Sequence, residues 1–120
     1  PLYLMIYKVY EIAFLKKYIK YIIYFLNMVN EENIIEILKS CNDPEIGVDI
    51  WTLGLIYELN IDNGVYIKMT FTTPHCPYGP MIVDDIKNKV LNKYKIMPNV
   101  EVVFDPPWKP SDELRELLGV

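Results

Sequence analysis

One cysteine stands where a protein can activate a thiol. Cys76 lies in the segment Thr72-Thr73-Pro74-His75-Cys76-Pro77-Tyr78-Gly79-Pro80, between the end of a predicted strand and the start of a predicted helix. The first turn of a helix presents unpaired N–H groups and a positive potential, which stabilise a thiolate and make the sulfur a better nucleophile and metal ligand. Because proline has no N–H, the donors must come from Tyr78, Gly79, Met81 or Ile82. A buried, unreactive cysteine in a tight loop is the alternative that the pattern leaves open.

The residues just before Cys76 bear on its chemistry in two ways. Thr72 and Thr73 are small and leave room around the sulfur. His75 is the adjacent residue, but neighbouring side chains in an extended loop point apart, so a catalytic Cys–His pair is not expected. In a symmetric dimer, two copies of His75 and Cys76 could supply four metal ligands.

An acidic loop is the other candidate for chemistry. Asp43, Glu45 and Asp49 lie close together in the sequence, and acids in loops are usually solvated. If this loop folds toward Cys76, its carboxylates could hold a cation, accept a proton or orient a threonine hydroxyl. Cys41 continues the apolar stripe of a predicted helix and is expected to pack in the core as a small hydrophobic residue.

Composition excludes several classes of protein. The chain has 120 residues, of which 52% are hydrophobic and 23% charged, so it is long enough for one folded domain. A net charge of −4 argues against a general nucleic-acid-binding protein. Two cysteines and one histidine can supply neither a structural zinc site within one chain nor a disulfide framework, which favours a reducing compartment, the cytoplasm.

Residues 1–27 differ from the rest of the chain. Four lysines against one glutamate give this extension a charge of +3, which leaves −7 for the domain formed by residues 28–120. Its apolar runs are too short for a membrane span, and lysines interrupt the region that a secretory signal would need. Five apolar residues follow a helical spacing, which fits an accessory helix or a basic surface anchor; they are Ile12, Leu15, Ile19, Ile22 and Leu26. The third alternative is that the natural protein begins at Met28 and the segment before it is non-native upstream sequence, since Pro1 is not an initiator.

The remaining residues predict a two-layer α+β domain. A helix begins after the N-cap Asn30 and ends at Asp43-Pro44, and a second helix runs from about Pro80 to Tyr94. A strand around 100–104 follows and is expected to lie parallel to the strand at 65–72, since a strand–helix–strand connection is right-handed. Ser111 caps a short last helix that ends at Gly119. The order α-β-β-α-β, with a small mixed three-stranded sheet, helices on one face and a short C-terminal helix, is the predicted fold.

The buried faces of these helices follow from their apolar spacing. The first helix should bury Ile34, Ile37 and Leu38, and the last one Leu114, Leu117 and Leu118. The second helix should bury a longer stripe that consists of Ile82, Val83, Ile86, Val90 and Tyr94.

The register of the hairpin can also be predicted. A two-residue Asn63-Gly64 turn would pair apolar with polar residues, whereas a three-residue loop, Asp62-Asn63-Gly64, keeps the apolar residues on one face. The three-residue loop places Gly64 in a left-handed position. The predicted pairs are Ile61 with Val65, Leu59 with Ile67, Tyr57 with Met69, and Glu58 with Lys68 on the other face.

Three stretches together resemble a known family. They are Asp43-Pro44-Glu45-Ile46-Gly47-Val48-Asp49-Ile50 continuing through Thr52-Leu53-Gly54-Leu55-Ile56-Tyr57, then Thr72-Thr73-Pro74-His75-Cys76-Pro77, and Asp105-Pro106-Pro107-Trp108-Lys109-Pro110. In this order they are similar to motifs of the SufT/PaaD-like metal–sulfur cluster assembly factors, over about residues 31–120. The family also occurs as a domain fused to ATP-dependent iron–sulfur carrier proteins.

The resemblance implies a cytoplasmic accessory factor in the maturation of iron–sulfur proteins, without enzymatic turnover. It places the shared cysteine on Cys76, and the supporting cleft on Asp43, Glu45, Thr72 and Thr73. No permanently bound cofactor is implied; iron or an iron–sulfur cluster would be held transiently. Because one cysteine cannot hold a cluster alone, partners are implied: apo clients, other assembly proteins or a second copy. Nucleic acid is not expected as a partner because of the net charge, and a membrane is not expected because the apolar runs are short.

Two other functions compete with this one. In an interaction module, Cys76 would be structural and the acidic loop or the Pro107-Trp108 corner would dock clients. In a thiol-dependent enzyme, Cys76 would be a nucleophile and would need a base within hydrogen-bonding reach.

Overall fold

The computed structural model describes residues 15–19 and 29–119. The chain divides into two units, Pro1–Asn30 and Glu31–Val120. In the first unit, residues 15–19 are helical, and Leu15 and Ile19 are each about half exposed. The other residues of the predicted apolar stripe, Ile12, Ile22 and Leu26, lie outside the described residues. In the described part of the chain, no helix is both long enough and apolar enough to cross a membrane.

The second unit is an α+β domain with a mixed sheet, which confirms the predicted fold class. The sheet order is β1-β2-β3, with β1 antiparallel and β3 parallel to the central strand. The three helices and three strands follow the predicted sequence order. They are α1 (Glu31–Lys39), β1 (Ile56–Asn60), β2 (Tyr66–Met69), α2 (Gly79–Tyr94), β3 (Asn99–Val102) and α3 (Asp112–Leu118).

The core lies on one face of the sheet. Val65, Ile67 and Met69 alternate along the central strand and are all buried. The helices bury matching stripes that the periodicity predicted, except that Val83 is only half-buried. These stripes consist of Ile34, Ile37 and Leu38 in α1 and of Ile82, Ile86, Val90 and Tyr94 in α2. α1 ends at Lys39, four residues before the predicted end.

The hairpin follows the predicted register only near its loop. Leu59 pairs with Ile67, and Glu58 opposes Lys68 with 3.4 Å between the charged atoms. The predicted pair of Tyr57 with Met69 is wrong: Met69 pairs with Ile56, because β1 has an irregularity between Ile56 and Glu58 that leaves Tyr57 out of the ladder.

The hairpin loop is longer than predicted. The ladder ends at the pair Asn60–Tyr66, so the predicted pair Ile61–Val65 lies outside it and the loop comprises residues 61–65. Two loop residues have positive φ, 59° at Asn63 and 123° at Gly64. Gly64 therefore occupies a conformation that favours glycine, as predicted, and Asn63 takes the left-handed helical one.

The last helix packs less fully than predicted. Ser111 caps it, since its hydroxyl accepts the N–H of Leu114 at 3.1 Å, and Gly119 ends it with a φ of 69°. Leu114 is buried, but Leu117 and Leu118 are 78% and 36% exposed. The prediction that all three leucines face inward is wrong because this seven-residue helix packs only through its first turn.

Candidate functional site

The first motif begins with a tight turn at Asp43. The backbone N–H of Asp43 donates to the carbonyl of Val48 at 2.9 Å, and the carbonyl of Asp43 accepts the N–H of Gly47 at 2.8 Å. Its Oδ1 accepts the N–H of Glu45 at 2.9 Å. Gly47 has a φ of 76°, which explains the need for glycine at this point of the turn. The aspartate is a structural element of the loop as well as a candidate functional group.

The second carboxylate oxygen of Asp43 is an anomaly. The residue is 1% exposed, and its Oδ2 is buried with no hydrogen-bond partner among the described residues. A buried polar atom without a partner costs about 1–3 kcal/mol, and more when it is charged. Such an atom usually marks a functional group or the place of a bound molecule. By contrast, the carboxylate-bearing Glu45 is exposed.

The cysteine motif forms the connection between the sheet and α2. Thr72 is half-buried, whereas Thr73, Pro74, His75, Pro77 and Tyr78 are exposed. Cys76 is the exception, with only 9% of its surface accessible. Its side chain therefore turns into the fold while that of His75 turns to solvent, in line with the prediction that the two point apart. The thiol is therefore not openly exposed in this conformation, and burial agrees with the alternative of a buried cysteine that the sequence leaves open.

The start of α2 offers fewer donors than the sequence suggested. Gly79 donates its N–H to the carbonyl of Cys76 at 3.2 Å, and Ile82 donates to the carbonyl of Tyr78 at 3.0 Å. Within the described residues, no hydrogen bond uses the N–H groups of Tyr78 and Met81. These two groups are the ones left to interact with a thiolate or a bound anion at this helix end.

Phe71 holds the cysteine motif against the start of α2. A Cβ on Gly79 would lie 2.6 Å from Cε2 and 2.8 Å from Cζ of the Phe71 ring, so a larger residue fits only if the ring shifts. The same ring pairs with Phe104 at a centroid distance of 6.1 Å. Phe71 thus connects the start of α2 with the chain that leads into the proline-rich motif.

The proline-rich motif is fixed to the first motif by two long-range hydrogen bonds. Trp108 donates from Nε1 to the carbonyl of Leu53 at 2.6 Å. Tyr57 donates its hydroxyl to the carbonyl of Pro106 at 2.8 Å. The irregularity in β1 explains the second bond, since it re-aims Tyr57 away from the ladder.

Cys41 is a core residue, as predicted. Its side chain is fully buried and its Sγ donates to the carbonyl of Ile37 at 3.3 Å. Burial, with a smaller contribution from the charge of Asp85, raises the pKa of this thiol to about 11. A thiol that remains protonated and enclosed is a poor ligand and a poor nucleophile.

Contacts therefore link the first motif to the proline-rich one, and Phe71, which precedes the cysteine motif, to Phe104, which precedes the proline-rich one. The reactive groups of Asp43 and Cys76 are not hydrogen bonded to each other. In the part of the chain that the structure describes, no three side chains of the His, Cys, Asp and Glu types are grouped so as to hold a metal ion. Asn42, the neighbour of Asp43, and Met81 in the first turn of α2 line the same groove, which places the two loops side by side.

Some site residues could not be found from their own spacing. In the sequence, Phe71 is an ordinary strand residue and Gly79 an ordinary loop glycine. The residues around them do not indicate that the two are in contact. The signal that exists is chemical: Tyr57 and Trp108 combine an apolar body with a polar tip, and such residues find a hydrogen-bond partner when they are buried.

Comparisons with known proteins agree with this arrangement. The family described as iron–sulfur cluster assembly protein matches residues 31–102. A Bacillus subtilis protein, Fe-S protein maturation auxiliary factor YitW, is 40% identical over 96 residues, which cover 75% of this chain and 94% of the relative. Fe-S protein maturation auxiliary factor SufT of Staphylococcus aureus is 44% identical over 69 residues, 55% of this chain and 78% of the relative.

A solved structure shares the fold. The conserved hypothetical protein TM0487 from Thermotoga maritima superposes with a TM-score of 0.66 at 42% identity, and the match covers 77% of this chain and 96% of that one. The resemblance carried by the three motifs is confirmed. The chain belongs to the family of iron–sulfur cluster assembly proteins and is SufT-like within it.

Proposed function

We propose that this protein is a non-enzymatic accessory factor in the maturation of iron–sulfur proteins. Its relatives are named maturation auxiliary factors, which supports a role in cluster maturation. The observation that carries the proposal is the buried Oδ2 of Asp43, which has no hydrogen-bond partner among the described residues and lies in the motif that hydrogen bonds join to the proline-rich one. In this role Cys76 transiently ligates iron or a cluster, which is cargo on its way to a client.

The surroundings of Cys76 support transfer more than storage. A cluster needs several ligands, and one chain contributes one suitable thiol. The others come from a second copy, an apo client or another assembly protein, and His75 is exposed and available as an auxiliary ligand. An incomplete ligand set makes cargo easy to release, which suits a factor that passes it on.

Asp43, Glu45, Thr72 and Thr73 form the supporting cleft in this proposal. The partnerless Oδ2 of Asp43 accepts a hydrogen bond or binds cationic cargo once a partner brings it to the site. The half-buried Thr72 and the exposed Thr73 supply hydroxyl groups beside the cysteine loop. Because Cys76 is 9% exposed, the loop from 73 to 78 has to open for transfer.

Anaerobic reconstitution with iron and sulfide tests direct ligation. Wild type and Cys41→Ala should develop cluster absorption, because Cys41 is enclosed, whereas Cys76→Ser should not. Equal absorption in wild type and Cys76→Ser, or none in either, would remove Cys76 as a ligand. The pH dependence of Cys76 alkylation tests thiolate activation separately from access: a rate that rises with pH as it does for a free thiol contradicts activation.

A second function is favoured by the burial of Cys76. If the sulfur stays covered, the protein acts as an adaptor that docks clients, and Cys76 only supports the loop. Capture of purified apo iron–sulfur clients by Cys76→Ser as strongly as by wild type would favour this adaptor role over ligation.

A further inference from the structure

A groove of about 350 Å³ lies beside the start of α2 and is not part of the cleft described above. Its apolar wall and floor are Met81, which is 52% exposed, and Ile82, which is 2% exposed. Its remaining lining is polar and comes from Asn42, Asp84, Asp85 and Asn88. The groove thus combines an apolar surface with hydrogen-bond acceptors, and no cationic side chain lines it.

The two aspartates of the groove differ in their partners. Asp85 is half-buried and pairs with Lys89 at 3.2 Å. Asp84 is exposed and forms no ion pair with any described residue. The side-chain amide oxygens of Asn42 and Asn88 add neutral acceptors at the rim. The groove therefore presents one carboxylate without an ion pair and two side-chain amides beside an apolar floor.

We propose that this groove docks an arginine side chain of a partner protein, flanked by an apolar residue. The aliphatic stem of arginine covers apolar surface while its planar guanidinium donates to several acceptors at once, which is the combination that the lining offers. Charge complementarity adds to this fit, since residues 28–120 carry −7.

A second groove of the same domain shows why the fit is specific. A larger groove of about 520 Å³ runs between α1 and α2 and contains one acid, Glu36. Two lysines, Lys89 and Lys93, also line it. Those lysines repel a guanidinium, so an arginine should enter the groove beside Asp84 and not the one beside Glu36.

The position of the docking groove deepens the proposed function, on which this inference rests. Met81 lies in the first turn of α2, directly after the loop of Cys76, and Asn42 adjoins Asp43. A partner anchored here by an arginine would hold its own ligands close to the cysteine loop. The groove therefore selects the kind of client or assembly protein that reaches Cys76.

The test is an NMR titration of the full chain with the acetylated and amidated tripeptide Leu-Arg-Leu. Saturable shifts should concentrate on the backbone amides of Asn42, Met81, Asp84 and Asn88. The same peptide with citrulline in place of arginine keeps the shape without the charge and should bind about two- to fivefold more weakly, the range for an exposed ion pair. No binding at millimolar peptide, shifts elsewhere, or equal binding of the citrulline peptide would overturn the proposal.

Three variants separate this inference from the proposed function. Asp84→Asn should weaken binding of the arginine peptide about two- to fivefold, while the matched variant Glu36→Gln leaves it unchanged. Unchanged binding by Asp84→Asn refutes the groove. Cys76→Ser should bind the peptide like wild type. Equal cluster absorption in wild type and Cys76→Ser, or none in either, would therefore remove the ligand role of Cys76 and leave the docking result intact.

Discussion

Gly79→Ala tests the contact that fixes the cysteine motif on α2. Gly79 has no positive φ and starts an α-helix, so its backbone conformation does not require glycine. The lack of space beside Gly79 favours glycine instead. The new Cβ would lie 2.6 Å from the Phe71 ring, whereas carbon atoms in good contact are about 3.5–4.0 Å apart. The Phe71 ring is half-buried, and Phe104 lies beside it with 6.1 Å between the ring centroids, which limits the movement of the ring on that side.

The expected cost follows from two opposing effects. Overpacking a filled site costs about 1–3 kcal/mol. Alanine regains at most about 1 kcal/mol over glycine from helix propensity, and less at the first helical residue. We therefore expect Gly79→Ala to lower the free energy of unfolding by about 1–2 kcal/mol, as the difference of these two effects. Urea denaturation followed by tryptophan fluorescence measures it.

A double-mutant cycle identifies the cause of that loss. Phe71→Leu removes the ring atoms that clash, so Gly79→Ala should cost little or nothing in the Phe71→Leu background. Gly54→Ala is the matched control: Gly54 has open space but a φ of 74°, so its loss is backbone strain and should be the same in both backgrounds. An equal loss for Gly79→Ala in both backgrounds would refute the clash as the reason for glycine.

Three further predictions concern the hydrogen bond of Trp108, the buried thiol of Cys41 and the buried carboxylate of Asp43. Trp108→Phe should lower the free energy of unfolding by about 1–2 kcal/mol, because the carbonyl of Leu53 loses its donor. The control variant Trp51→Phe should lower it by less. Equal losses for the two variants in urea titrations would contradict the role of the hydrogen bond. Cys41 has a folded-state pKa of about 11 against an ordinary 9.0, so the stability that its neutral thiol contributes is complete below pH 9.0 and is lost as the pH rises through 11. The stability difference between wild type and Cys41→Ala should therefore shrink over that range, and a constant difference in urea unfolding would count against it. Asp43→Asn keeps the side-chain oxygen that accepts the N–H of Glu45, so the variant should be at least as stable as wild type in the same assay. It should nevertheless lose cluster reconstitution. A loss of stability above about 1 kcal/mol would show that the charge serves the fold.

Local features of the fold could be predicted because short-range chemistry decides them. Ser111 accepts the N–H three residues on, and Gly119 adopts the left-handed conformation that ends a helix. The pair of Glu58 with Lys68 followed from turn length and alternation. Each of these depends on residues within one element or one hairpin, where spacing along the chain determines spacing in three dimensions.

Long-range contacts escaped prediction for the opposite reason. Tyr57, at the irregularity in β1, donates a hydrogen bond to the carbonyl of Pro106, which is 49 residues away. Trp108 donates to the carbonyl of Leu53, which is 55 residues away. Leu117 continues an apolar pattern, yet it is 78% exposed because the helix extends past the core. Periodicity shows which face of a helix is apolar, but it does not show how far the surface beneath it reaches.

The burial of Cys76 and that of Asp43 bear differently on function. A cysteine that is 9% exposed costs the fold nothing, since a thiol packs as an apolar group, so its burial alone fits either a ligand or a structural residue. Asp43 is different, because an asparagine would keep the bond to Glu45 and replace the partnerless charged oxygen with a neutral amide group, which costs less to bury. An isosteric amide would serve the fold as well as this carboxylate or better. A requirement for its charge therefore explains why the residue is a carboxylate. For that reason Asp43, rather than the cysteine, is the residue whose environment in this structure argues most directly for a functional site.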